Sequence, residues 1–161
     1  YRYVNESANG KATSASDCST YMKNAVPGQK LLLTYNKDVY QFNADTKPKL
    51  IVTTSVGIAP FISLLQEMAQ KECLDAKNVI MVYGVKHRYK DFLYGEYLEH
   101  LASTDRIRLY PVFSEDNGKH VDDIMTKDSK EVFSQFLRDN IADIDIYACS
   151  NCKYLPFTVD E

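Results

Sequence analysis

The stretch Ile51-Val52-Thr53-Thr54-Ser55-Val56-Gly57-Ile58-Ala59-Pro60-Phe61 runs from a short apolar strand, through a turn of small residues, into a helix. Pro60 suits the first helical turn, where its missing N–H would have had no partner and its fixed φ is already helical. Phe61, Leu64, Leu65 and Met68 then follow at helical spacing. The unpaired N–H groups and partial positive charge at the start of such a helix fit a pyrophosphate without any basic side chain. A strand, a turn with one glycine and a helix are also what any βαβ unit needs for packing, so these residues alone leave both readings open.

Downstream the same alternation repeats. Strands are predicted over Leu50 to Thr54, Val79 to Tyr83, Ile107 to Phe113 and Ile144 to Cys149. Between them Tyr94, Tyr97, Leu98 and Leu101, then Val132, Phe133, Phe136 and Leu137, recur at helical spacing. Strands apolar on both faces predict a parallel sheet covered by helices on each side. The fold class is therefore α/β, a doubly wound, mostly parallel five-stranded sheet flanked by helices, with ligand at the carboxyl ends of the strands. Upstream, Lys30 to Tyr35 and Val39 to Phe42 flank Asn36-Lys37-Asp38 as an antiparallel hairpin. Residues 1 to 27 read as a loop-rich lead-in.

A chain of 161 residues holds one full domain and barely a second, and 45% apolar with 25% charged residues describes an ordinary globular protein. A net charge of -3, with Lys and Arg scattered singly, builds no broad field for nucleic acid or an anionic membrane, so any anion site must be local. No apolar run approaches the roughly 20 residues of a membrane span. The start, Tyr1-Arg2-Tyr3-Val4, has no signal-peptide pattern and no Met, and reads as the start of a fragment. Cys18, Cys73, Cys149 and Cys152 are too sparse for a disulfide scaffold and predict reduced thiols in a cytoplasmic setting. Cys149-Ser150-Asn151-Cys152 has the form of a redox dithiol or half a zinc site. No second pair completes a metal shell, and this pair ends a strand instead of opening a helix, so no metal is expected. His87, His100 and His120 stand alone and are assigned no role.

Gly57 to Phe61 matches, residue for residue, the end of the Gly-x-Gly-Thr-Gly-Ile-Ala-Pro-Phe element of ferredoxin-NADP reductases and the cytochrome P450 reductase group. The chain resembles the NAD(P)H-binding domain of that ferredoxin-NADP reductase-like superfamily, most of all its diflavin reductase branch. Thr53 and Ser55 stand in place of the family's first two glycines, and Val56 in place of its Thr. Tyr83-Gly84-Val85-Lys86-His87-Arg88 with Asp91-Phe92-Leu93-Tyr94-Gly95-Glu96-Tyr97-Leu98 is similar to the family's Phe-Gly-Cys-Arg stretch and its Asp-x-Leu-Tyr-x-x-Glu-Leu. Pro111 to Lys119 resembles the Phe-Ser-Arg-Glu segment whose Ser and Arg hold the 2′-phosphate of NADP. Glu115 occupies the Arg position, and Val121 stands where the family often has a Tyr. A carboxylate repels a 2′-phosphate and accepts from a ribose 2′-OH, so NADP(H) and NAD(H) both stay open. Ile144 to Asn151 resembles Ile-Tyr-Val-Cys-Gly-Asp, with Ser150 in place of the Gly, which sets a side chain where the nicotinamide needs room.

The resemblance implies an FAD-dependent oxidoreductase module that presents the nicotinamide for hydride transfer to FAD and onward electron transfer. Thr54, Ser55, Gly57, Ile58, Ala59 and Pro60 would take the pyrophosphate. Gly84, Lys86, Arg88, Ser114, Glu115, Lys119 and Ser150 would line the rest of the nucleotide site, and Cys149 would lie on the hydride path as the catalytic residue. Plain alternatives are a solvated basic loop at Lys86 to Arg88, a simple turn at Ser114 to Lys119 and a core cysteine at Cys149. Ser16 to Met22 resembles the Gly-Val-Cys-Ser-Asn-Tyr-Leu element that touches the flavin pyrophosphate, which brings Cys18, Ser19 and Thr20 to FAD. Residues 1–46 are thus expected to be the end of an FAD-binding β domain with its connecting hairpin, and residues 47–161 the NAD(P)H-binding domain. The Arg-x-Tyr-Ser flavin motif has no match, so FAD is expected to be held mainly by the rest of the flavin domain. Expected partners are that FAD-binding domain of the same protein and a downstream acceptor such as an FMN domain or a ferredoxin-like carrier. The substitutions at Thr53, Ser55, Glu115 and Ser150 support an alternative, a non-catalytic module of the same fold kept for structure or partner binding.

Overall fold

The computed structural model describes residues 17–30 and 42–150. The chain divides into two units, Tyr1–Gln41 and Phe42–Glu161. In the first, Asp17–Asn24 forms helix α1. The expected hairpin falls largely on residues 31–41, outside the described ones.

In the second unit the four strands expected from the apolar runs all form: β1 (Lys49–Thr54), β2 (Val79–Val85), β3 (Arg108–Phe113) and β4 (Asp145–Cys149). They pair in parallel in the order β3-β2-β1-β4. Four strands, not five, make up the sheet among the described residues. The helices are α2 (Ala59–Gln70), α3 (Arg88–Asp91), α4 (Gly95–Ser103), α5 (Ser114–Asn117), α6 (Val121–Asp123) and α7 (Lys130–Asn140). A π-helical turn over Ile124–Asp128 joins α6 to α7.

The two-residue period of the strands sorts the core into two layers. Ile51, Val79, Met81 and Tyr83 face Ile58, Phe61, Leu65 and Met68 of α2 and its preceding turn, with Leu98 and Leu101 of α4. Leu50, Val52, Ile80 and Val82 face the other way, onto Phe133 and Phe136 of α7. Helices cover both faces, which is why β1 and β2 are apolar almost throughout. Two expected core residues lie outside it. Tyr94 precedes α4 in the left-handed region (φ 58°) and is exposed, and Val132 lies on the outer side of α7.

The chain winds from β1 to β2 to β3 in one direction and returns through α7 to β4 on the far side of β1. The carboxyl ends of β1 and β4 are therefore the switch point of the sheet, the place where folds of this kind bind their ligands. At the opposite end, the ammonium of Lys49 is fully buried between Asp45 (2.5 Å) and Asp145 (3.2 Å). Its hydrogen bond to Asp45 holds that carboxyl below its ordinary range.

Candidate functional site at the switch point

β1 ends at Thr54, and Ser55–Ile58 form a 3-10 turn that leads directly into α2. Ser55 takes a left-handed backbone (φ 50°), a conformation ordinarily left to glycine. The Tyr83 hydroxyl, on the neighbouring strand, donates to the Ser55 carbonyl at 3.0 Å and fixes the turn. Burial pushes the Tyr83 phenol up to about 12, so it remains a donor at any ordinary pH. Pro60 lies in the first turn of α2, as its position in the sequence predicts, and no side chain caps that helix. The 3-10 turn runs straight into α2 and the Ala59 N–H donates to the Val56 carbonyl, so the N–H groups left to an anion are those that open the turn.

Gly57 is demanded by packing against β4. A Cβ there would come within 2.6 Å of the Cys149 carbonyl oxygen, 2.9 Å of Thr53 Oγ1 and 3.1 Å of Cys149 Sγ. Thr53 Oγ1 in turn donates to the Cys149 carbonyl at 3.0 Å. Thr54 and Ser150 share a hydroxyl–hydroxyl hydrogen bond of 2.7 Å. The structure thus brings Thr54, Ser55, Gly57, Cys149 and Ser150 together at one place, the carboxyl ends of β1 and β4. Ile58 is fully buried and has only its backbone to offer a ligand, whereas Ala59 is exposed.

A second group gathers at the carboxyl ends of β2 and β3. Gly84 is tightly covered, since a Cβ there would lie 2.6 Å from Val121 Cγ2 and 3.3 Å from Thr54 Cγ2. Val121 is thereby turned toward the sheet. Lys86 and Glu115 approach to 4.0 Å, and the Glu115 N–H donates to the Lys86 carbonyl at 3.0 Å. Arg88 is engaged elsewhere: its guanidinium meets Glu99 at 2.6 Å and lies 5.5 Å from the Phe113 ring centroid. Lys119 pairs with Asp128 at 2.6 Å. These ion pairs are about half exposed and weak enough to open for a ligand. Ser114 opens α5 at the end of β3.

Sequence reasoning missed Asp116. Its carboxylate accepts from the Arg88 N–H at 2.8 Å and meets His87 Nδ1 at 3.0 Å, so it fastens the loop after β2 to the loop after β3. The Arg88 N–H, and then His87, hold its carboxyl below the ordinary range. An Asp three residues past a strand's end was the available signal, and it reads equally as a turn residue. Tyr83 was also missed as a site support, because a tyrosine in an apolar run reads as core. Cys18, Ser19 and Thr20 lie on α1 in the first unit. Among the described residues Cys73 and Cys149 are free thiols, and no group of three or more acidic, His or Cys side chains could hold a metal. No described helix is long and apolar enough to cross a membrane.

Residues 51–158 match the oxidoreductase NAD-binding domain family. The chain belongs to that family. The matched span of the NAD-binding domain begins in β1 and takes in the switch-point turn and both loop groups. The chain is 27% identical to the NADPH-dependent diflavin oxidoreductase 1 of Candida glabrata over 121 residues, covering 71% of this chain and 18% of that protein. It is 29% identical to the methionine synthase reductase of Mus musculus over 127 residues, again 71% of this chain and 18% of the relative. It thus spans about a fifth of the length of the curated relatives it matches. Among solved structures, a ferredoxin-NADP+ reductase from Plasmodium falciparum with 2'P-AMP superposes with a TM-score of 0.61 at 20% identity, covering 87% of this chain and 57% of that one. The expected α/β fold, the resemblance to ferredoxin-NADP reductase-like enzymes and the reading as their NAD(P)H-binding module are borne out. The relatives are reductases, which does not favour the alternative of a purely structural module.

Proposed function

We propose that this domain presents the nicotinamide of NADPH or NADH to an FAD held by a neighbouring domain of the same protein, in a reductase of the diflavin kind. The observation that carries this reading is the convergence of the Ser55–Ile58 turn, which leads into α2, with Cys149 at the carboxyl ends of β1 and β4. An α/β sheet binds its ligand at such a point, and the donor set there fits a pyrophosphate. When bound, the nicotinamide supplies a hydride to the flavin, which passes electrons singly to an acceptor such as an FMN domain or a ferredoxin-like carrier.

The chain's own residues bind and orient. Backbone N–H groups that open the Ser55–Ile58 turn receive the pyrophosphate, and Cys149 with Ser150 borders the nicotinamide. Lys86, Ser114 and Lys119 surround the phosphate or hydroxyl of the adenosine ribose, with Arg88 released from Glu99 as a further cation. Glu115, 4.0 Å from Lys86, offsets part of that positive charge and weakens the preference for a 2′-phosphate. Residues 1–46 are assigned to the end of the FAD domain, with Cys18, Ser19 and Thr20 toward the flavin. A cytoplasmic setting agrees with the free thiols of Cys73 and Cys149.

NADPH and NADH titrated separately into the chain, followed by heat and by amide chemical shifts, test the reading. Binding of either, with shifts at Gly57 and Cys149, is the expected result. Silence with both at millimolar concentration overturns it. Glu115→Arg is expected to tighten NADPH by about tenfold, the value of one added charged hydrogen bond, and no change would move the 2′ site elsewhere.

A further inference from the structure

Two consecutive residues at the end of β1 each bond to a residue at the end of β4. Thr53 Oγ1 donates to the Cys149 carbonyl at 3.0 Å, and Thr54 Oγ1 meets Ser150 Oγ at 2.7 Å. The first bond is continuous with the sheet, since Thr53 and Cys149 are register partners. The second lies one step beyond the last paired residues, where the strands of a doubly wound sheet normally part. Both residues are partly exposed, so the bond lies at the ends of the two strands and not in the core.

We infer that the Thr54–Ser150 hydroxyl pair is a latch across the nicotinamide end of the site, which the ring of the bound dinucleotide must open. The inference rests on the nucleotide reading above. It differs from a plain steric block by Ser150, because the resistance comes from a bond that either partner can remove. The adenosine end, at Lys86 and Ser114, lies beyond β2 and is not touched by the latch. The pair therefore selects against the nicotinamide half of the ligand while leaving the adenosine half alone. A neutral hydrogen bond of this kind, partly open to water, contributes a two- to tenfold effect, about 0.5–1.5 kcal/mol.

Thr54→Val and Ser150→Ala each remove one hydroxyl with little change of shape, and amide spectra establish that each variant folds. Wild type and both variants are titrated with NADP+ and NAD+, and with the corresponding adenosine halves, 2′-phospho-AMP and AMP. Each variant is expected to bind its preferred dinucleotide about two- to tenfold more tightly than wild type, with affinity for the adenosine half unchanged. Unchanged or weaker dinucleotide binding in both variants, with the adenosine half still bound, overturns the latch alone; weaker binding would make the hydroxyls direct ligands. A wild-type chain that takes neither dinucleotides nor adenosine halves overturns the nucleotide reading and the latch with it.

Discussion

The Tyr83 hydroxyl donates to the Ser55 carbonyl across 3.0 Å, and the bond holds a serine in backbone space that belongs to glycine. The resemblance places a family glycine at this position, and the φ of 50° is one that glycine adopts freely. A left-handed backbone costs a residue with a Cβ about 1–2 kcal/mol, while glycine costs about 0.5–1 kcal/mol in the unfolded chain. Ser55→Gly is therefore expected to stabilise the domain by about 0.5–1 kcal/mol, read as a higher urea midpoint at constant slope. Ser55→Val should lower the midpoint. A glycine variant no more stable than wild type would mean that the turn is not strained.

Tyr83 also sets an alkaline limit. Burial raises its phenol from 10.0 to about 12 in the folded chain. The unfolded chain therefore releases this proton first, and stability that is complete below pH 10 is lost as pH rises toward 12, by up to about 3 kcal/mol. Tyr83→Phe should flatten most of that slope, with Tyr97 and Tyr147, also raised by burial, leaving a remainder. At neutral pH the same variant should lose about 1–3 kcal/mol, because the Ser55 carbonyl loses its donor. Urea melts at pH 7, 9.5 and 11 separate the two effects. Parallel slopes in the two proteins would assign the alkaline loss to other groups.

What could be read in the sequence follows from the range of the forces involved. The four strands and α2 are written in runs of a few residues, since burial on both faces leaves an unbroken apolar stretch and one helix face repeats locally. The bonds that shape the site are not local. Lys49 to Asp145, Thr53 to Cys149 and Thr54 to Ser150 all join residues 96 apart, an offset set by the β1–β4 register. No spacing within a motif reveals such an offset. Ser55 and Tyr94 were opaque for a different reason, because a left-handed backbone at a residue other than glycine leaves no mark in residue type. Lys49 reads as an exterior charge, and only the carboxylates on either side of it explain its burial.

Lys49 yields a prediction opposite to intuition about charge. Its buried ammonium is balanced by Asp45 and Asp145, so Asp145→Ala leaves it half compensated and should cost about 1–3 kcal/mol, less than for a fully enclosed pair. Lys49→Met removes the charge together with its need for partners and should lie within about 1 kcal/mol of wild type. Thermal melts of the two variants give the ranking. A Lys49→Met chain that unfolds below Asp145→Ala would make the ion triad a net stabiliser of the β1–β4 pair.

Gly57→Ala tests whether the glycine serves packing or the ligand. The added methyl would meet the Cys149 carbonyl at 2.6 Å, and a backbone atom in a paired strand cannot swing aside. The variant should lose about 1–3 kcal/mol even without nucleotide, the usual cost of overpacking. Amide shifts at Thr53 and Cys149 should report β4 moving away from the turn. Unchanged stability with lost nucleotide binding would assign Gly57 to the ligand alone.

Asp116 separates the architecture of the adenosine side from its charge. One carboxylate accepts from the Arg88 N–H and from His87, so it holds Lys86 and Glu115 in their mutual geometry although it touches neither. Asp116→Ala should free the loop after β2 and weaken binding of 2′-phospho-AMP several-fold. Asp116→Asn keeps one acceptor oxygen for the Arg88 N–H and should retain most of the affinity. Because the Asp116 carboxyl is held below its ordinary range, its contribution is present above pH 4 and is lost as the pH falls through the depressed value. The tether should therefore persist in wild type at pH 5 and fail only in stronger acid. Titration of 2′-phospho-AMP into the three proteins at pH 5 and pH 7 reads all of this at once. Equal affinity for wild type and Asp116→Ala would show that the two loops hold their places without the carboxylate.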